Sequence, residues 1–170
     1  MEVKLRPMTQ EDWEQVAEIF RQGIETENAT FETQIPSWDR WDLIHVSSCR
    51  IVATIENIVV GWVALIPVST RKVYSGVGEV SIYISNKYKG LKIGTRLLKK
   101  LIEESEIEGF WTLQAGIFPE NTASIQLHKN HGFRIIGYRE KIGLMGSIWR
   151  DTILLERRSK KIGTQHGALA

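Results

Sequence analysis

Glu79-Val-Ser-Ile-Tyr-Ile-Ser-Asn-Lys-Tyr-Lys-Gly-Leu-Lys-Ile-Gly-Thr-Arg-Leu-Leu, residues 79–98, decides the fold. Val80, Ile82, Tyr83 and Ile84 are β-branched or aromatic and mark a strand. Ile93, Leu97, Leu98, Leu101 and Ile102 recur at helical spacing and mark the buried stripe of a helix. Between them, Lys89-Gly90-Leu91-Lys92-Ile93-Gly94-Thr95 forms a basic turn with two glycines. A turn of this kind aims backbone N–H groups at whatever lies over the helix N-terminus, and the helix dipole adds positive partial charge there. That combination suits an anion, most often a phosphate. A plain strand–turn–helix with a solvated basic loop has the same pattern, so this stretch by itself leaves both readings open.

The chain of 170 residues fits one domain with a sizeable core. A net charge of +2 is too small to argue for nucleic acid. The single cysteine, Cys49, excludes a disulfide framework and a cysteine-based metal site, and no metal is expected. The N-terminus lacks the apolar core of a signal peptide, and no apolar run reaches the ~18 residues of a membrane span. The expectation is a cytoplasmic protein with no membrane partner.

Outward from the central stretch, Val3 and Leu5 make a short strand that Pro7 ends. Thr9 and Asp12 open a first helix with Trp13, Val16, Ile19, Phe20 and Ile24 on its apolar face. Residues 25–33 read as a polar loop, and Pro36-Ser37 opens a second helix through about Val46. Residues 51–55 and 58–66 form a hairpin across Glu56-Asn57. Beyond the central helix come a strand at 111–117, a helix capped by Asn121 and ended by Gly132, and closing strands at 133–138 and 148–155. Residues 157–170 read as a loosely ordered tail with a basic cluster, Arg157, Arg158, Lys160 and Lys161. This order predicts an α/β domain over 1–156: a mixed sheet with helices on both faces. Strands 79–85 and 111–117 are parallel because a helix joins them.

Three features together resemble the GNAT superfamily of acyl-CoA-dependent N-acetyltransferases: the turn Lys89–Gly94, the segment Asn121-Thr-Ala-Ser124 through His128 to Gly132-Phe133, and the order of elements. Within it the chain is most similar to the phosphinothricin and methionine sulfoximine acetyltransferases. That narrower likeness rests on Thr26-x-Asn-Ala-Thr30-Phe31-Glu32, Gly61-Trp62, Arg71-x-x-Tyr74 and Gly146-x-x-Trp149-x-Asp151. The resemblance implies the GNAT fold: a mostly antiparallel sheet with a splayed parallel pair. It implies acetyl-CoA as co-substrate and a small amino-acid-like amine as acceptor. Two departures stand out. The first glycine of the family's phosphate loop falls on Lys92, and His128 stands where many members have Tyr.

The resemblance assigns roles residue by residue. Glu79, beside Gly76 and Gly78, takes the amine proton, directly or through water. His128 protonates the leaving thiolate. Ile82, Tyr83 and Ile84 pair through their backbone with the pantetheine arm and polarise the thioester carbonyl. Lys89, Gly90, Leu91, Lys92, Ile93, Gly94 and Thr95 hold the pyrophosphate, and Asn121 and Ser124 line the arm. Arg71, with Lys72 beside it, meets the acceptor carboxylate, while Tyr74 and Phe31 wall its side chain. Each residue also has a plainer reading: Glu79 as a strand-end surface carboxylate, His128 as packing, Asn121 as a helix cap, Arg71 as a solvated loop residue. Other readings stay open. One is an acetyltransferase for a protein N-terminus, a polyamine or an antibiotic; another is a non-catalytic acyl-CoA-binding regulator. A nucleic-acid module built on the basic tail ranks last. Six tryptophans are many for one small core. Trp38 and Trp41 share a helix face and Trp149 sits on a closing strand, so a homodimer is expected.

Overall fold

The computed structural model describes residues 1–165. Seven strands form one sheet: β1 (Lys4–Pro7), β2 (Ile51–Ile55), β3 (Ile58–Pro67), β4 (Val77–Ile84), β5 (Thr112–Ile117), β6 (Arg134–Met145) and β7 (Ile148–Arg158). Their order across the sheet is β1-β2-β3-β4-β5-β7-β6. Every neighbouring pair is antiparallel except β4–β5, which is parallel because the helix α3 (Ile93–Ile107) carries the chain over between them. Three further helices complete the fold: α1 (Trp13–Glu25), α2 (Trp38–Ile44) and α4 (Thr122–Lys129).

The sheet is buried on both faces, as the period of two in its middle strands dictates. Ile51, Ala53, Val63 and Leu65 meet Leu97, Leu98 and Leu101 of α3 on one face. Val52, Trp62 and Ala64 meet Val16, Ile19 and Phe20 of α1 and Trp41 of α2 on the other. Helix α2 has only seven residues, too few to hold its shape unaided. Ser37 caps its start by accepting from the Arg40 N–H at 3.3 Å. Arg50 closes its end, donating to the carbonyls of Asp42, His45 and Val46 at 3.0, 3.0 and 2.6 Å. Trp41 is fully buried between Trp38, Trp13 and Trp62, with centroids 5.6–5.8 Å apart. The tryptophans of α2 therefore pack inside one subunit. That removes them as grounds for an interface and leaves Trp149, 58% exposed, as the outward one.

Two boundaries differ from expectation. Strand β6 runs to Met145, not Tyr138. The charged run Arg139-Glu140-Lys141 hides the continuation because it bulges: the register shifts between Arg139 and Gly143, and Lys141 has φ 46°. Asp151 holds the bulge, accepting from the Lys141 N–H at 2.6 Å and from the Tyr138 hydroxyl. The expected loose tail is also ordered at its start. Arg157 and Arg158 belong to β7. Glu106 of α3, only 8% exposed, accepts from the Ser159 hydroxyl at 2.9 Å and pairs with Arg157 and Lys161, each at 3.3 Å. A buried carboxylate needs such partners, so it ties the chain down. Arg158 donates to the carbonyls of Trp111, Ser159 and Ile162 at 3.2, 2.9 and 3.0 Å. Much of the basic cluster is thus engaged within the fold, and the remainder of that tail, 166–170, lies outside the described residues. No helix among them is long and apolar enough to cross a membrane.

His45 gives the fold a pH dependence. It stacks on Trp41 with centroids 3.9 Å apart, and its Nδ1 donates to the Trp41 carbonyl at 2.7 Å. Burial pushes it down to about 4, and the Arg50 charge acts in the same direction. The unfolded chain takes up a proton near pH ~6.5 that the folded chain refuses until about 4. Stability is therefore full above that upper value and falls as pH descends through the window. His45→Gln should flatten the loss of Tm between pH ~6.5 and ~4.5. An unchanged slope would place the acid sensitivity elsewhere.

Candidate active site

The site begins where two strands part. β4 pairs with β3 along its length, from Gly78 opposite Pro67 to Ile84 opposite Gly61. Its pairing with β5 stops after Val77, Gly78 and Glu79. From Val80 to Ile84 the backbone edge facing away from β3 has no strand partner among the described residues. Two cavities, of about 470 and 590 Å³, open beside this edge. Both are walled by Ala29, Ile82, Tyr83, Asn121 and Ser124, so they adjoin along the splay.

Glu79 and His128 line the first cavity. Glu79 is the last residue of β4 paired on both sides, with Ile66 and with Gln114. It is half-buried and accepts from the Gln114 amide at 3.1 Å, which orients one carboxylate oxygen. His128 is 1% exposed, and its Nδ1 lies 2.7 Å from the Ser124 carbonyl. A carbonyl accepts only from N–H, so Nδ1 carries the proton and Nε2 a lone pair. That Nε2 is buried without a hydrogen-bond partner among the described residues. Burial lowers the ring's pKa, with the neighbouring His131 acting in the same direction. The resting imidazole is therefore neutral and its Nε2 is a proton acceptor. An imidazole in this state acts as an acid only after it has received a proton. Phe31 also lines this cavity, edge-on to Phe118 at 4.9 Å. Gly143 makes room for it, because a Cβ there would fall 2.6 Å from the Phe31 ring.

The second cavity holds the basic turn. Lys89, Gly90, Lys92, Ile93, Gly94 and Thr95 line it, together with Ile84. Leu91 does not; it is 47% exposed and stands outside the wall. Gly90 has φ 82° with open space where a Cβ would be. Lys92 is left-handed, at φ 58° and ψ 22°, and caps the start of α3 without a side-chain hydrogen bond. Its backbone thus keeps the shape a glycine would give, and the turn still presents N–H groups at the helix start. Asn121 does two jobs already: its Oδ1 accepts from the Ser124 N–H at 3.3 Å, and its Nδ2 donates to the Asn28 carbonyl at 3.2 Å. Its place as a cap is therefore filled whatever else it touches.

Arg71, Lys72 and Tyr74 are not brought to this place. They lie on an exposed 3-10 turn before β4, where the Arg71 guanidinium sits 5.3 Å from the Tyr74 ring centroid. Neither cavity includes them. Arg40 and Gln114 were not singled out from sequence, since nothing local marks them. For Gln114 the one clue was its strand, expected to run parallel to that of Glu79. Among the described residues no cluster of three His, Cys, Asp or Glu is placed to hold a metal ion.

The model of the acetyltransferase (GNAT) family matches residues 10–133. The chain belongs to this family. A phosphinothricin N-acetyltransferase from Streptomyces viridochromogenes is 28% identical over 159 residues, 91% of this chain and 87% of that one. An L-methionine sulfoximine/L-methionine sulfone acetyltransferase from Pseudomonas paraeruginosa is 32% identical over 83 residues, 49% of this chain and 48% of that one. Among solved structures, a GNAT superfamily phosphinothricin acetyltransferase from Sinorhizobium meliloti, in complex with AcCoA, superposes with TM-score 0.83 at 29% identity. It covers 93% of this chain and 89% of its own. The splayed β4–β5 pair and the turn before α3 are thus part of a GNAT fold.

Lys92 gives this fold a measurable cost. A left-handed non-glycine residue costs roughly 1–2 kcal/mol, part of which a glycine gives back as unfolded-state entropy. Lys92→Gly should therefore raise the Tm of the ligand-free protein by about 2–4 °C, the shift expected for about 1 kcal/mol in a chain of this size. A lower Tm in that variant would mean the lysine side chain supports the turn.

Proposed function

We propose that this enzyme transfers the acetyl group of acetyl-CoA to the α-amine of a small amino-acid-like acceptor of the phosphinothricin or methionine sulfoximine type. One observation carries the proposal: Glu79 and His128, whose buried Nε2 has no hydrogen-bond partner among the described residues, line a cavity that adjoins the one lined by the basic turn. Acetyl-CoA supplies the activated acetyl thioester. The basic turn from Lys89 to Thr95 holds its pyrophosphate, and the unpaired edge of Val80–Ile84 offers backbone groups to its pantetheine arm. The same edge polarises the thioester carbonyl with donors fixed before the reaction begins. Glu79, oriented by Gln114, takes the proton of the acceptor's ammonium. His128 Nε2 is free to receive a proton and to return it to the departing sulfur. The rivals explain less: a binding-only regulator has no use for an oriented carboxylate beside a neutral buried imidazole.

Glu79→Gln should lower kcat by roughly 10²–10⁴-fold, the range for losing a general base, with little change in acetyl-CoA affinity. Stopped-assay thiol release with methionine sulfone as acceptor reads it. Native turnover in this variant would leave Glu79 a structural role.

The enzyme's assembly belongs to the same proposal, and it is a homodimer. Ile135, Ile136, Tyr138, Ile142, Leu144, Ile148 and Trp149 are each 40–61% exposed on the β6–β7 ribbon at the edge of the sheet. Apolar exposure concentrated on one edge element suits a second copy of the same surface. The reduced, buried Cys49 fits a cytoplasmic location. Light scattering at micromolar concentration should give twice 19.5 kDa. A mass equal to one chain rules the dimer out, and Trp149→Glu with Leu144→Lys should produce that mass.

A further inference from the structure

An α-amino acid carries its carboxylate on the carbon that bears the amine. The first cavity holds Glu79 and Glu32 in its wall, so an anionic acceptor meets like charge as it enters. A cation inside the cavity has to offset that. Among the described residues lining it, the only positively charged side chain is Arg40. His128 does not serve, since burial keeps it neutral.

Arg40 is free for the task. Its backbone N–H is used by Ser37, but its guanidinium takes part in no ion pair among the described residues. Its base is rigid. The next residue, Trp41, is fully buried against Trp62, and Trp62 lines the same cavity. The backbone that carries Arg40 is therefore anchored. An arginine with no ion pair among the described residues, set on a packed helix in the wall of a cavity with two carboxylates, matches a bidentate carboxylate ligand.

We propose that Arg40 anchors the acceptor's carboxylate and so decides that this site takes amino acids over simple amines. The inference rests on the acetyltransferase reading above. It places the acceptor with its carboxylate toward α2 and its amine toward Glu79 at the start of the splay. Arg71, stacked on Tyr74 outside the cavity, is the competing cation.

The test compares two acceptors that differ only in the carboxylate, methionine sulfone and 3-(methylsulfonyl)propylamine, at saturating acetyl-CoA. In Arg40→Gln the KM for methionine sulfone should rise by roughly 10–100-fold, the range for a lost hydrogen bond to a charged group. The KM for the amine should stay within about twofold, because that acceptor never made the contact. Arg40→Lys should recover part of the loss, since a point charge replaces the fork. Acetyl-CoA affinity, measured by calorimetry on the same variants, should match the native chain and shows that they are folded. Equal KM changes for both acceptors overturn the proposal. So does a selective loss in Arg71→Ala with none in Arg40→Gln. A native chain that binds acetyl-CoA yet acetylates neither acceptor fails the small-acceptor reading itself and takes this inference with it.

Discussion

Everything at the site depends on a place where hydrogen bonding stops. β4 and β5 pair for three residues and then separate, while β3 follows β4 to its end. A central strand with one side unpaired exposes backbone donors and acceptors deep inside the molecule, where they need partners. The fold answers by opening cavities along that edge. Glu79 sits at the fork itself, so its position is set by ladder bonds on both sides. The basic turn lies at the other end of β4, where α3 begins. One strand thus spaces Glu79 at one end of the site from the basic turn at the other.

The walls come from distant parts of the chain. The loop after α1 has little structure of its own, and later elements hold it. Arg150 of β7 donates to the Glu27 carbonyl at 2.7 Å and lies 3.9 Å over the Phe118 ring. Asn121 holds the Asn28 carbonyl, and Phe31 fits the gap left by Gly143. The far side of the loop is closed by α2, a short helix kept in place by tryptophan packing and by Arg50. Packing and hydrogen bonds of this kind keep a cavity open in the absence of a ligand, which lowers the ordering cost of binding.

What was legible from sequence was mostly local. The strand, the turn and the helix of residues 79–98 each have their own period or turn chemistry, and they lie where expected. The cap at Asn121 and the stop at Gly132, with φ 84°, are local in the same way. Arg40 was not legible, because its meaning comes from lining one cavity with Glu79, thirty-nine positions away in the chain. Arg71 was singled out because it precedes the central strand, yet its turn carries it outside both cavities. The end of β6 was hidden by a charged bulge, whose stabilising partner Asp151 lies on the next strand. The state of His128 depends on a carbonyl one helical turn back and on burial, and neither has a mark in composition.

The clasp around Glu106 bears on how the protein comes into being on the ribosome. The carboxylate is made early, within α3, but Arg157 and Ser159 follow it by 51 and 53 positions. Until they emerge, seating the end of α3 leaves the Glu106 carboxylate without its counter-ions, which is unfavourable. The end of α3 therefore completes its docking only after Arg157 and Ser159 have followed it.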